Sequence, residues 1–280
     1  MHFVVMHWNL WCCLLLGYLH IYCISLSSGY HLNRSTGLES WLGYSGSLVR
    51  DDSQLHDSAF VEKSTLSVPL NVLVTCEDLE GVGSFNTTCL LSSTHYLKSD
   101  INIYGVGNLE LLSDVSLICP VEGCMISVNV SGNIKLGQNA SIVAGSVVLS
   151  SANLTMEYNS YIDSSSLGGS PPSQTSGTPV GYDGAGGGHG GRGASCLKNN
   201  KTNWGGDVYA WSTLSEPWSY GSKGGGKSKE QYGGNGGGRV KLLVKDSLYI
   251  NGSIFAEGGD GGSDGGGGSG GSILVHAVKL

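Results

Sequence analysis

Three ten-residue windows share one pattern, and nothing else in the chain restricts its fold as strongly: residues 108–117 (NLELLSDVSL), 133–142 (NIKLGQNASI) and 153–162 (NLTMEYNSYI). Each opens on Asn, places apolar residues at its second, fourth and tenth positions, and carries Asp or Asn at its seventh. A fourth copy, SLYINGSI at 247–254, fits once two residues are deleted. The starts of the first three lie 25 and then 20 residues apart. That spacing suits one coil of a parallel β-helix, whose short strands stack at about 4.8 Å. Within a copy the period is two, because Ile134 and Leu136, Leu154 and Met156, and Leu248 and Ile250 alternate with polar residues. Alternation of this kind buries one face of a strand. A second strand precedes several copies, as in residues 125–131, 146–150 and 239–244. The expected fold is all-β: a right-handed parallel β-helix, a solenoid, with long glycine-rich loop insertions.

The rungs fall in two blocks, residues 70–162 and 239–280, with a short β-rich strand, NVLVTC, ending at Cys76. The last stretch, SILVHAVKL, opens a turn and stops, so the chain is expected to be a truncated piece of something longer. Asn108, Asn133 and Asn153 at position one, and Asp114, Asn139 and Asn159 at position seven, are expected to serve structure. Such side chains tolerate left-handed backbone at corners and hydrogen-bond from rung to rung.

Glycine supplies 46 residues, of which 30 lie between Gly181 and Gly271. No Gly-X-Y period runs through them and Pro totals six, which excludes collagen. All of these but Gly252 sit in two insertions, residues 163–238 and 257–271, expected to leave the coil at one corner. The first carries Trp204, Tyr209, Trp211, Trp218 and Tyr220. Aromatic faces pack against sugar C–H groups, so these rings are candidate carbohydrate contacts, with Asp207 or Glu216 to take hydroxyl hydrogen bonds. The alternative is that they anchor a loop with little other apolar surface. His189 and Arg192 stand among glycines that let other groups approach closely, and suit an anionic ligand such as a uronate; the alternative is that His189 is an exposed spacer.

Residues 1–27 read as a signal peptide, with the apolar run LWCCLLLGYL and small residues at Ser25, Ser27 and Ser28. His2 and His7 stand where Lys or Arg is usual, which leaves an uncleaved anchor as the alternative. Residues 28–69 show no sustained period and are expected to be a poorly ordered lead-in. Seven of sixteen Asn occupy N-x-[ST] sequons and are expected glycosylation sites, each exposed at the surface: Asn33, Asn86, Asn129, Asn139, Asn153, Asn200 and Asn251. With the leader removed, Cys76, Cys89, Cys119, Cys124 and Cys196 remain. In an oxidising compartment the nearest neighbours are expected to pair, Cys76 with Cys89 and Cys119 with Cys124, leaving Cys196 over.

Other motifs lack their context. GSKGGGKS at 221–228 satisfies the phosphate-loop pattern, yet no apolar strand leads in and KEQYGGNGGG cannot sustain the helix that must follow. GGDGGSDGG at 258–266 misplaces Asp264 for a calcium-binding β-roll. No metal site, no cofactor and no catalytic residue is expected. A net charge of −7 with 13% charged residues leaves no basic patch, so nucleic acid is not an expected partner.

The strings CEDLEGVGSFNTTC (76–89), CPVEGCM (119–125), TSGTPVGYDGAGGGHGGRGASC (175–196) and WGGDVYAWSTLSEPWSYGSKGGG (204–226) resemble a plant family of large glycine-rich proteins, sometimes labelled ephrin-receptor-like. The resemblance covers residues 70 to the C-terminus. It implies a much longer extracellular protein with later cysteine-rich segments and transmembrane helices, of which this chain matches the N-terminal part. It carries no established activity.

The leading expectation is therefore a non-enzymatic extracellular glycoprotein of the plant cell surface or wall, structural or carbohydrate-binding, with cell-wall polysaccharide as its partner. No membrane contact is expected within the mature segment, though a longer form would be tethered. The alternatives are a β-helix polysaccharide lyase or hydrolase and a receptor ectodomain. An enzyme of that kind needs clustered acids, and the rung strands offer few beyond Glu110, Asp114, Glu157 and Asp163.

Overall fold

The computed structural model describes residues 74–170, 177–179, 184–198, 200–209, 216–226, 233–263 and 265–280. The leader, the lead-in segment, Asn33, Trp211 and Lys227 lie outside the described residues. Among the described residues there is no α-helix, and nearly all regular structure is β. Residues 71–73 of the strand expected to end at Cys76 lie outside the described residues, and residues 74–76 are not strand but lead into a short 3-10 turn, Glu77–Leu79. Thr75 favours that turn, its backbone N–H and its hydroxyl both donating to Asp78 Oδ2 at 2.8 and 2.7 Å.

The strands follow one another in turns. After β1 (Val82–Gly83), the first turn holds β2 (Thr88–Leu91), β3 (His95–Tyr96) and β4 (Ile101–Gly105). The second holds β5 (Asn108–Leu111), β6 (Ser116–Ile118) and β7 (Met125–Val130). The third holds β8 (Asn133–Leu136), β9 (Ser141–Val143) and β10 (Ser146–Ser151). The fourth begins with β11 (Asn153–Met156) and β12 (Tyr161–Asp163), is interrupted by a hairpin of β13 (Cys196–Lys198) and β14 (Lys201–Asn203), and resumes in β15 (Arg239–Ile250). The C-terminal half of β15 starts the fifth turn, which continues in β16 (Ser253–Phe255) and β17 (Ser272–Lys279).

Strands in corresponding places of successive turns pair in parallel and form three ladders. The first runs β2, β5, β8, β11 and the end of β15. The second runs β3, β6, β9, β12 and β16. The third runs β4, β7, β10, the start of β15 and β17. Among the described residues, antiparallel pairing is confined to β1 with β2 and β13 with β14. The arrangement is solenoid-like, and its register follows the sequence period: Leu109, Ile134, Leu154 and Leu248 occupy one column. All four are buried, as are Leu117, Ile142 and Ile162 on the second ladder and Ile103, Val128, Leu149 and Leu242 on the third. Columns of apolar side chains, each gaining one residue per turn, thus build a continuous core, the favourable term that stacking supplies.

The first turn departs from the Asn-led pattern. Thr88 stands where later turns have Asn, and Cys89 fills the column of Leu109. Asn108 Nδ2 donates to Thr88 Oγ1 at 3.0 Å. From there the polar column climbs through Asn133 N–H to Asn108 Oδ1 (2.8 Å), Asn153 Nδ2 to Asn133 Oδ1 (2.9 Å) and Ser247 N–H to Asn153 Oδ1 (3.1 Å). A second polar column links Asn139 Nδ2 to Asp114 Oδ1 (2.9 Å) and Asn159 Nδ2 to Asn139 Oδ1 (2.8 Å). Only this second set is left-handed, with φ of 62°, 57° and 57° at Asp114, Asn139 and Asn159. Short carboxylate and carboxamide side chains carry that conformation at least cost.

Both glycine-rich insertions leave between the second and third ladders, after β12 and after β16. They fold together. Gly186, Gly187 and Gly188 donate their successive N–H groups to Ala194, Gly267 and Gly177, three different neighbours. Gly237, Gly238 and Arg239 do the same to Ser269, Ser164 and Gly145. Successive amides along a run thus turn from one neighbour to the next. The result is a bundle of glycine runs packed backbone to backbone. A β-carbon on Gly206 would overlap the Gly177 carbonyl, and one on Gly271 the Gly238 carbonyl, so only glycine permits this approach.

Cys76 is bonded to Cys89 and Cys119 to Cys124, with Cα–Cα distances of 5.6 and 6.2 Å. The second bridge closes the loop between β6 and β7, beside the glycine bundle. There Gly123 N–H donates to the Leu167 carbonyl at 2.8 Å.

Candidate functional site

The candidate aromatic residues divide between packing and display. Tyr209 is buried, its hydroxyl donating to the Tyr220 carbonyl and accepting from Ser222 Oγ at 3.2 Å. Burial pushes its phenol pKa up, opposed by the Ser222 hydrogen bond. His189 lies against Tyr209 with ring centroids 4.9 Å apart, and its Nδ1 donates to the Gly270 carbonyl at 2.8 Å. That contact joins the two insertions. Burial holds the imidazole below its ordinary pKa, opposed by the hydrogen bond to Gly270.

Trp218 and Tyr220 face the third ladder. The guanidinium of Arg239 is sandwiched between them, 4.4 Å from one ring centroid and 4.2 Å from the other, and Lys241 Nζ lies 5.5 Å from Trp218. Cation–π pairs of this kind are strengthened by desolvation, and burial lowers the Arg239 pKa against an opposing contribution from Tyr220. Glu216 approaches Lys241 at 3.9 Å. Ser272 Oγ donates to the Ser219 carbonyl at 2.8 Å, and Lys223 pairs with Glu122 at 2.7 Å. These contacts fasten the aromatic segment across the outside of the solenoid. Arg239 and Lys241 were legible only as outward positions of an alternating strand, and nothing in the sequence marked them as partners of the rings.

Trp204 is placed differently. It is 65% exposed and follows β14, at an open depression of about 430 Å³ lined by Pro179, Arg192, Asp207 and residues 202–205. Arg192 pairs with Asp207 in this wall. The depression therefore joins an exposed indole, a charged pair, the Thr202 hydroxyl and the Asn203 carboxamide on one surface. Arg192 and Trp204 are brought together, whereas His189, Tyr209, Trp218 and Tyr220 are held in contacts elsewhere in the molecule. A second depression, about 600 Å³, lies beside the Cys119–Cys124 loop and includes Lys98, Asp100, Glu122 and Tyr220.

The phosphate-loop lookalike is part of the bundle. Gly221, Gly224 and Gly225 donate their N–H groups to Gly237, Gly234 and Ala185, which leaves those amides unable to cradle a phosphate. Among the described residues no group of three or more His, Cys, Asp or Glu side chains could hold a metal ion, and no helix is long and apolar enough to cross a membrane. The chain matches no protein-family model, no curated protein and no solved structure.

Proposed function

We propose that this chain is a non-enzymatic extracellular glycoprotein of the plant cell surface or wall, built on a right-handed parallel β-helix, whose glycine bundle presents Trp204 to carbohydrate. The parallel ladders support the right hand, since a crossover between parallel strands is right-handed in about 98% of cases. The exposed Trp204 indole beside the Arg192–Asp207 pair is the observation that carries the binding reading. The disulfides and sequons support the extracellular part, and the resemblance described above supports the plant surface.

The rung acids support a non-enzymatic reading. Lys135 bridges Glu110 and Glu157 at 3.4 and 3.0 Å, Asp114 accepts from Asn139, and Asp163 accepts from the Ser165 N–H at 2.8 Å. Acids so engaged are poorly placed as the acid and base of glycoside cleavage.

Pectin and hemicellulose arrays probed with the full chain test the binding. Trp204→Ala is expected to weaken any positive glycan about five- to tenfold, the loss of one aromatic stacking partner. Tyr158→Ala removes another exposed ring, on the first ladder's side of the solenoid, and is expected to leave binding unchanged. An array without signal, or equal binding by the Trp204 variant, removes the carbohydrate reading.

A further inference from the structure

Six of the sequon asparagines lie among the described residues, and their surroundings divide them. Asn86 is exposed in the turn between β1 and β2. Asn129 points outward from β7, opposite Tyr104 and Ser150 in its neighbours. Asn200 is exposed at the tip of the β13–β14 hairpin, and Asn251 is exposed in the turn from β15 to β16. Each presents its carboxamide to solvent.

Asn139 and Asn153 are half-buried members of the polar columns. Asn139 donates from Nδ2 to Asp114 and accepts from Asn159 Nδ2, so its carboxamide is held between a carboxylate and another carboxamide. Asn153 is held the same way, donating to Asn133 and accepting from the Ser247 N–H. The hydroxyl residue of the Asn139 sequon, Ser141, is itself fully buried and donates to Ser116 Oγ at 2.7 Å. A sugar on either Nδ2 would have to emerge between side chains stacked about 4.8 Å above and below.

We propose that the two polar columns decide which sequons are glycosylated in the finished protein: Asn86, Asn129, Asn200 and Asn251 carry N-linked oligosaccharide, and Asn139 and Asn153 stay bare. The donor is an oligosaccharide linked to a lipid pyrophosphate. Its C1–O bond breaks as the C1–Nδ2 bond forms, the amide proton passes to a base of the transferase, and lipid pyrophosphate leaves. Attachment precedes folding, so the columns act by selection: a chain modified at Asn139 or Asn153 cannot close its ladder and does not join the folded population. The sugars then border the first and third ladders and the hairpin. The outer face of the second ladder, with Tyr96, Ile118, Val143 and Phe255, bears no sequon asparagine among the described residues.

This inference rests on the extracellular reading, and the test separates the two. The full chain is produced in secreting eukaryotic cells in two forms, one with its own N-terminus and one behind a cleavable leader of known function. Folded protein is deglycosylated enzymatically in heavy-oxygen water, and peptide mass spectrometry reads each Asn for conversion to labelled Asp. Behind the known leader, label is expected at Asn86, Asn129, Asn200 and Asn251 and not at Asn139 or Asn153. Label at either column residue, or its absence from the four exposed ones, overturns the division. If the pattern forms only behind the added leader, export by the natural N-terminus is lost and the division stands. As a second reading, Asn86→Gln is expected to remove the mass of one glycan with little change in Tm. Asn139→Gln is expected to lower Tm with no loss of glycan mass; loss of a glycan from that variant also overturns the proposal.

Discussion

His189 sits where the two insertions meet, against the ring of Tyr209 and bonded to the Gly270 carbonyl. Its pKa is depressed by burial below the ordinary imidazole value of about 6.5. A histidine whose folded pKa is lower than its unfolded one contributes stability that is present above the unfolded value and is lost as pH falls toward the folded one. The protein is therefore expected to melt at a lower temperature in mildly acidic buffer than at neutral pH, through the bundle first. His189→Gln, which retains a donor but does not titrate, should flatten that dependence. Identical pH slopes in the two proteins would show that His189 plays no part. At Asn139 the expectation is steric as well as polar. Asn139→Ala loses two column hydrogen bonds and must hold φ near 57°, at a cost of about 2–4 kcal/mol. Asn139→Gly loses the bonds alone and should fall between it and the natural protein in chemical denaturation. Both the left-handed corner and the columns were readable from the recurring Asn and Asp, because a short carboxamide at a fixed repeat position has few other uses. The clamp on Arg239 was not, because a contact between residues 218 and 239 depends on how an irregular segment returns to the coil.

At the scale of the element, one strand of one turn carries a buried column and an exposed one. Leu136→Ala empties a position with no solvent exposure and is expected to cost about 2–5 kcal/mol. The neighbouring Lys135→Ala breaks contacts to Glu110 and Glu157 yet is expected to cost less than about 1 kcal/mol, since the pairs are exposed. Urea denaturation of the two variants measures the contrast, and equal losses would contradict the assignment of faces. The period of two and the 20- and 25-residue spacings made these strands legible, since burial repeats at every turn. The first turn escaped the same search because Thr88 and Cys89 replace the Asn and Leu that mark the others. Residues 74–76 do not continue the strand expected to end at Cys76, because Thr75 and Asp78 form a local capping pair there.

At the scale of the molecule, the two insertions complete one another. Gly266 N–H donates to Gly225 and Gly234 N–H to Gly266, so residues of the second insertion lie between runs of the first. This partnership had no signature in the sequence, because glycine carries no side chain on which a period can be written. Its test is a methyl group. Gly206→Ala is expected to open the bundle and leave the solenoid folded, so proteolysis should cut the insertions while the far-ultraviolet signal of the ladders persists. Full loss of that signal would mean that bundle and solenoid unfold as one unit. Hydrogen bonds that leave each glycine run toward neighbours on several sides also change how the assembly bears force. A pleated sheet resists sliding within its plane and parts readily between its faces. Bonded around its whole circumference, a glycine run offers no such plane, so a load applied through the hairpin reaches the coil with little dependence on the direction of pull.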